Sequence, residues 1–391
     1  MSSLALQGGE PVRESKIPLH IPYIGEEEAR AAADIIRSGW ISGDGKKCRE
    51  FEAALAKYLK VKYAFFTNSC TAGLHLGLMA ANIYSGEVIS PAYTFTSTAL
   101  VALLNQARSV LADVGVQYGN LTPQALSHAI SLGSKAVIPV HYAGIPCDMD
   151  EINKIAKEHG LFVMEDAAQA LGSEYKGKKA GNLADVGCFS FHSTKNITCG
   201  EGGAIVTNNS EIAEKIMIMR DKGTDKFRKD FQIREGKKEG YYDYVSVGNS
   251  YVQSDILAGV ALEQFRKIDK IHNMRAKIAN QFTKGLQEAN IKLPNVPANV
   301  KPNWHLYLIQ VPREKRDWFV RALHAEGVGA NRHYFPLNRT TLYQKHGYKD
   351  GDFPGSEAFS DSLVRLPIYP NLSKDEIDDI IKAVAKVSKF L

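Results

Sequence analysis

Short apolar runs recur along this chain at residues 63–67, 87–90, 109–112, 135–140, 161–165, 186–191 and 204–207, with amphipathic stretches between most of them. Runs of that length are strand-sized and the amphipathic stretches are helix-sized, so the alternation specifies an α/β architecture. Residues 148–159 and 211–220 read as helices, the first opened by Asp148 and closed by Gly160. Only the last two runs lie close together in sequence. So short a connection predicts a locally antiparallel or irregular piece within a mixed sheet.

The organisation changes after Asp255, where residues 256–290 read as long helical sequence interrupted near residues 269–271. The expected division is a large α/β domain with an N-terminal arm (1–255), a bridging helical segment (256–290) and a small C-terminal α/β domain (291–391). The last contains a strand at 306–311 and helices near 315–326 and 374–388, and Pro294, Pro297 and Pro302 mark its boundary. The 391 residues, 44% of them hydrophobic, suffice for two cores. No internal repeat is present.

Lys195 lies between the last two runs, inside Ser190-Phe191-His192-Ser193-Thr194-Lys195-Asn196-Ile197-Thr198-Cys199-Gly200-Glu201-Gly202-Gly203. A narrow, partly desolvated turn lowers a lysine's pKa and fixes its amine, as a Schiff-base nucleophile requires. A solvated loop lysine fits the same sequence, because strand ends often carry Lys. Upstream, Leu161-Phe162-Val163-Met164-Glu165-Asp166 reads as a buried parallel strand that delivers a carboxylate to its C-terminal edge, where open α/β sheets bind ligands. Asp166 there could keep the ring nitrogen of pyridoxal 5′-phosphate (PLP) protonated, or could cap a helix starting at Ala167. The turn Thr67-Asn68-Ser69-Cys70-Thr71-Ala72-Gly73 opens a helical run, so its free N–H groups suit a phosphate; an N-cap by Ser69 or Thr71 accounts for it nearly as well. In Pro91-Ala92-Tyr93-Thr94-Phe95-Thr96-Ser97-Thr98 an aromatic could stack on a flat ring, with core packing the other use for either one.

In order along the chain, Ser38-Gly39-Trp40-Ile41, Cys70-Thr71-Ala72, Pro91-Ala92-Tyr93-Thr94-Phe95, Pro139-Val140-His141-Tyr142-Ala143-Gly144, Glu165-Asp166-Ala167-Ala168-Gln169, the lysine segment and Leu366-Pro367-Ile368-Tyr369-Pro370-Asn371-Leu372 make a set that resembles the DegT/DnrJ/EryC1/StrS sugar aminotransferases. The resemblance covers most of the chain. It implies the PLP-dependent transferase fold type I, aspartate aminotransferase-like, with a large mixed-sheet domain and a small C-terminal α/β domain. It also implies PLP as cofactor, a nucleotide-linked keto-sugar as acceptor, L-glutamate and 2-oxoglutarate as the donor pair, and a homodimer with the active site at the subunit interface. Arg220-Asp221-Lys222-Gly223-Thr224, Ser250-Tyr251-Val252-Gln253-Ser254-Asp255 and His333-Tyr334-Phe335-Pro336-Leu337 look most like transaminases acting at C4 of dTDP-4-oxo-6-deoxy-D-glucose. A 3-aminotransferase of the same family is the alternative.

Carried over residue by residue, the resemblance makes Lys195 the Schiff-base lysine and proton carrier, Asp166 the partner of the pyridine nitrogen, and Gln169 that of the ring hydroxyl. Phe95 would cover the ring face, while Thr71, Ala72 and Ser190 would hold the phosphate. His333 and Tyr334 fall in the segment that contributes to the sugar site of relatives, although alternation at a strand end would also put one of them in a core. His192 is either a polar group facing substrate or a strand histidine satisfied by backbone. Many relatives supply a phosphate-binding Asn from the neighbouring subunit after a Tyr. Here Tyr251 is followed by Val252, which leaves Asn249 or Ser250 as replacement, or the contact absent.

A net charge of +5 without a basic, aromatic-interleaved tract argues against nucleic acid as partner. Lys222, Lys226, Arg228 and Lys229 make one stretch locally basic, which suits an anionic nucleotide-sugar or a solvated loop. The five cysteines show no CxxC spacing and no secretory segment precedes them, so reduced thiols in the cytoplasm are expected, with no metal. No apolar stretch reaches membrane-spanning length, and no membrane contact is expected. A cysteine desulfurase would need a thiol on a loop beyond the lysine, and Cys199 is too close for that. A sugar dehydratase of this family would lack the Schiff-base lysine. A regulatory protein that keeps the fold without turnover is the alternative of another class.

Overall fold

Side chains alternate across a strand, so a strand apolar at nearly every position has to be covered on both faces. The computed structural model describes residues 3–225 and 243–391. Its first strands are β1 (Tyr63–Thr67), β2 (Glu87–Pro91), β3 (Arg108–Ala112), β4 (Ser134–Val137) and β5 (Phe162–Asp166); the short hairpin β6 (Glu174–Tyr175) and β7 (Lys178–Lys179) follows, then β8 (Val186–Ser190) and β9 (Gly203–Thr207). Seven of these form one sheet in the order β1-β9-β8-β5-β4-β2-β3. From β8 to β3 all neighbours are parallel, and β9 runs antiparallel to both β8 and β1. The mixed sheet expected from the short connection is therefore present, with β9 as its reversed strand.

Phe66, Phe189, Phe191 and Val206 face one side of the sheet, against Phe51, Leu55, Leu262 and Phe265 of the helices Lys46–Leu59 and Asp255–Arg266. Their neighbours Phe65, Cys188 and Ile205 face the other, against Leu74, Leu78, Val101 and Ile216. The Phe51 ring lies 4.7 Å from Phe66 and 5.2 Å from Phe191 between centroids. Burying each such side chain contributes about 1.5–3 kcal/mol.

Beyond the sheet, β10 (Val300–Lys301) pairs with β6, and β11 (Tyr307–Gln310) pairs antiparallel with β12 (Leu363–Leu366). The helices Ile268–Gly285, Arg316–Ala325 and Lys374–Ser388 enclose a separate core around Tyr307, Phe319, Val364 and Ile380. Leu4 and Ile17 are part of that core. The Glu326 carboxylate fixes the arm, accepting from Ala5 N at 2.9 Å and Val12 N at 3.0 Å while pairing with Lys386 at 2.9 Å.

Two local expectations need correction. The helical break falls at Lys267, not at residues 269–271, because Lys267 N donates to Gln264 O at 3.0 Å, an i→i−3 bond that tightens the last turn. Asp148 occupies the N-cap position of the helix Met149–Glu158 but does not cap it with its side chain. Its carboxylate accepts from the Tyr175 hydroxyl at 2.6 Å instead. Among the described residues all five cysteines are unpaired, and no helix is long and apolar enough to cross a membrane.

The register sets up one edge. Thr67, Gly203 and Ser190 stand in one row across β1, β9 and β8, and Asp166 closes β5 beside Cys188. Three elements therefore end or turn together. A Cβ on Gly203 would lie 2.2 Å from the Ser69 carbonyl carbon, so only glycine lets β9 pass that close to the turn after β1.

Candidate active site

At this edge opens a cavity of about 460 Å³. Asp166 and Ser190 line it from the ends of β5 and β8, Gln169 and Lys195 from the turns that follow them, Thr71 from the start of the helix Cys70–Ala80, Phe95 from the loop after β2, and His333 and Tyr334 from the C-terminal part of the chain. His192 is also on its wall. Ala72 is not: it is buried, and its N–H donates to Ser69 Oγ at 3.1 Å. Ser69 is thus the N-cap of the helix Cys70–Ala80, while the Thr71 hydroxyl donates to Ser97 Oγ at 2.8 Å.

Asp166 is buried, and both carboxylate oxygens are engaged. Oδ1 accepts from Ala168 N at 3.1 Å and Oδ2 from the Thr98 hydroxyl at 2.7 Å. No helix begins at Ala167; a turn closed by Ala170 N to Ala167 O follows instead, so helix capping does not account for this residue. Gln169 has a fixed amide. Its Oε1 accepts from Ala143 N at 2.7 Å, which leaves Nε2 to donate to the Tyr334 hydroxyl at 3.1 Å. The Tyr334 O–H is then free to donate into the cavity. Of the two aromatics after β2, Tyr93 is fully buried against Tyr142 and Phe359, whereas Phe95 is 54% exposed and 5.6 Å from the Tyr334 ring.

The electrostatics separate the groups. Burial pulls the Lys195 amine below its ordinary value, with Cys70 and Asp166 acting in the opposite direction. Burial and then the charge of Asp166 push the Tyr334 phenol up to about 12, so it keeps its proton. His333 is lowered to about 4 by burial and by Arg365 and Lys195, which makes it a neutral imidazole. His192 interacts with side chains as well as backbone: Nδ1 is 2.9 Å from Thr194 Oγ1 and Nε2 3.7 Å from Glu201.

Residues 22–385 match the DegT/DnrJ/EryC1/StrS aminotransferase family. The chain belongs to that family. It is 41% identical to the uncharacterized protein MJ1066 of Methanocaldococcus jannaschii, over 96% of this chain and 98% of that protein. It is 36% identical to the spore coat polysaccharide biosynthesis protein SpsC of Bacillus subtilis, with the same coverage of each. Among solved structures, Spr1654 of Streptococcus pneumoniae, assigned as a sugar aminotransferase, superposes with a TM-score of 0.89 in its apo-form at 30% identity, covering 96% of this chain and 98% of that one. The same protein is known in PMP- and PLP-forms.

In this aminotransferase several neighbours of the site were not anticipated. Thr98 and Ser97, which hold Asp166 and Thr71, belong to the hydroxyl run Thr94-Phe95-Thr96-Ser97-Thr98, whose density of O–H groups at a strand end was the available signal. Arg365 is a lone charge within the apolar strand β12; it is 4% exposed, and its Nη1 lies 3.4 Å from His333 Nε2. His305 is likewise a polar residue within an apolar run. Asn249 and Ser250 are exposed beside the turn after β1, where Ser250 O accepts from Asn68 Nδ2 at 3.2 Å; neither lines the cavity. Lys222 is paired with Asp221, and Lys226, Arg228 and Lys229 lie outside the described residues.

Proposed function

We propose that the chain is a PLP-dependent transaminase of a nucleotide-linked keto-sugar, acting at C4 of dTDP-4-oxo-6-deoxy-D-glucose with L-glutamate as donor and 2-oxoglutarate as the released oxo-acid. The observation that carries this reading is that Lys195 and Asp166 share one cavity with the hydroxyl-bearing start of the helix Cys70–Ala80. The residues fit the cofactor. Phe95 offers a flat face, Asp166 a buried carboxylate for a ring nitrogen, and Thr71, at the start of the helix Cys70–Ala80, with Ser190 at the end of β8, hydroxyls for a phosphate, while Ala72, whose N–H is taken by Ser69, stands behind them. PLP, when bound, supplies the electron sink that amino-group transfer needs.

The protein's own groups then have defined tasks. Asp166 holds a proton on the pyridine nitrogen, and Thr98 and Ala168 hold Asp166. Gln169, with one Nε2 hydrogen given to Tyr334, would offer the other to the ring hydroxyl. Lys195 Nζ, whose proton affinity is reduced by burial, takes a proton from the donor's α-carbon and returns it, a transfer made fast by tethering. Tyr334 donates its hydroxyl hydrogen to substrate, with His333 and His192 as further polar contacts. SpsC, named for spore coat polysaccharide biosynthesis, and the PLP- and PMP-forms of Spr1654 support the sugar class and the cofactor. This reading also makes the enzyme a cytoplasmic homodimer with its active site at the subunit interface. In support, Trp40 and Val247 leave 57% and 79% of their surface exposed.

The test has three stages. The purified protein should show a PLP absorbance band that Lys195→Ala abolishes, and glutamate alone should convert the band in the wild type. A panel of nucleotide-linked 4-keto and 3-keto sugars should then yield an amino sugar from the dTDP-linked 4-keto compound. Turnover only with a 3-keto sugar would move the assignment to C3. A band that glutamate leaves unchanged would favour a regulatory protein.

A further inference from the structure

A second cavity, of about 10 Å³, lies beside Lys195 and is walled by Gln169, Ser190, Asn196, Asn303 and His305 as well. That is close to the space one water molecule needs, and these polar residues share its wall with Ala168, Leu171 and Ile197. The chemistry of the wall is fixed by hydrogen bonds that allow only one arrangement. Asn196 Nδ2 donates to the Asn303 carbonyl at 3.0 Å, so the atom that Asn196 turns towards His305 is Oδ1, 3.1 Å from Nδ1. A carbonyl oxygen only accepts, so Nδ1 of His305 carries the hydrogen. The ring is buried and held well below its ordinary pKa, first by desolvation and then by Lys195 and the nearby arginines, so it is neutral. Nε2 is therefore a bare acceptor, and no described residue donates to it.

The support behind this ring is equally definite. His305 N donates to Asn303 Oδ1 at 3.0 Å, and Asn303 Nδ2 donates to the carbonyls of Gln169 and Leu171, both at 3.0 Å. The loop carrying Lys195, the turn after Asp166 and the segment leading into β11 are thereby tied at one point. Building a rigid, neutral acceptor next to a lysine has a specific consequence for that lysine: an amine whose hydrogens are held on one side presents its lone pair on the other.

We propose that His305 is a positioning residue for Lys195, its Nε2 accepting a hydrogen of the lysine amine through one water in the small cavity and so turning the amine's lone pair towards the large one. This rests on Lys195 being the proton carrier of the transaminase reading. His305→Phe removes the acceptor, whereas His305→Gln restores one near the position of Nε2. In the holoenzyme, H305F should slow the glutamate half-reaction roughly tenfold, the worth of one hydrogen bond, with KM for glutamate unchanged and the isotope effect of α-deuterated glutamate increased. H305Q should recover to within about threefold. An H305F half-reaction at the wild-type rate overturns the proposal, and so does an equal loss in both variants with an unaltered isotope effect. If H305F does not fold, a ¹⁵N spectrum of histidine-labelled wild type decides, with the resonance assigned by its loss in H305Q: protonation at Nε2 overturns the proposal, and protonation at Nδ1 supports it. That spectrum is readable even if the protein takes up no PLP, so failure of the transaminase reading would be seen separately.

Discussion

The Thr98–Asp166 contact gives the sharpest test of how this site is held. Thr98 is fully buried, with its hydroxyl 2.7 Å from Asp166 Oδ2, 2.9 Å from Thr94 Oγ1 and 3.1 Å from Phe95 O. A hydroxyl has one hydrogen, and the carboxylate is both the nearer and the stronger acceptor. Thr98 therefore donates to Asp166, Thr94 donates to Thr98, and the Phe95 carbonyl receives nothing from this group. Thr98→Val keeps the volume and removes the donor, leaving Oδ2 without a partner among the described residues. A hydrogen bond to a charged group contributes about 1.5–3 kcal/mol, which corresponds to roughly 10- to 150-fold in an equilibrium that depends on a correctly oriented Asp166. The PLP dissociation constant of T98V, from absorbance titration of the cofactor-free protein, should rise by that range, and T98S should stay within about threefold of wild type. Wild-type affinity in T98V would refute the reasoning. Equal losses in T98V and T98S would assign the effect to the methyl group's packing.

Further expectations follow from other contacts. Gly203→Ala must displace the Ser69–Cys70 turn, 2.2–2.3 Å from the new Cβ, so it should lower the melting temperature and weaken competition by inorganic phosphate against PLP uptake; unchanged values would mean the turn gives way freely. Phe191→Ala empties the centre of the Phe51–Phe66 cluster and should cost about 3–5 kcal/mol in urea denaturation. His20 and His272 are held neutral by burial, then by Arg275, with values of about 4 and about 3. The unfolded chain takes up protons below its ordinary histidine pKa while the fold resists, so this stability is complete above about pH 6.5 and lost as pH falls towards 4. Each ring should contribute a slope approaching about 1.4 kcal/mol per pH unit. Urea midpoints at pH 7 and 5 should converge in His272→Gln relative to wild type.

Much of this could be read along the chain because the relevant signals are local. Lys195 between two close apolar runs and Asp166 at the end of another needed only strand length and order to be brought to one edge. Phe95 and Tyr93 divided between cavity and core, which the family resemblance indicated but strand pattern alone could not, because two residues of one kind at one strand end are separated only by what packs against them. Thr98, Arg365 and His305 act through partners 32 to 109 positions away in the sequence, and no short window along the chain contains both members of such a pair. The same holds for Asp148, whose capping role was displaced by Tyr175, and for the break at Lys267, where the last turn of a helix tightens by one residue.

The arm at Leu4 and Ile17 has a consequence in time. Ala5 hydrogen-bonds Glu326, 321 positions later, and Glu10 O accepts from Lys386. At 5–20 residues per second of synthesis, the arm waits roughly a quarter of a minute to a minute for its docking surface to emerge. The seven-stranded sheet ends at Thr207 and can assemble meanwhile. The arm is thus made long before it can be seated, a clasp that closes only when the helix Lys374–Ser388 has been made.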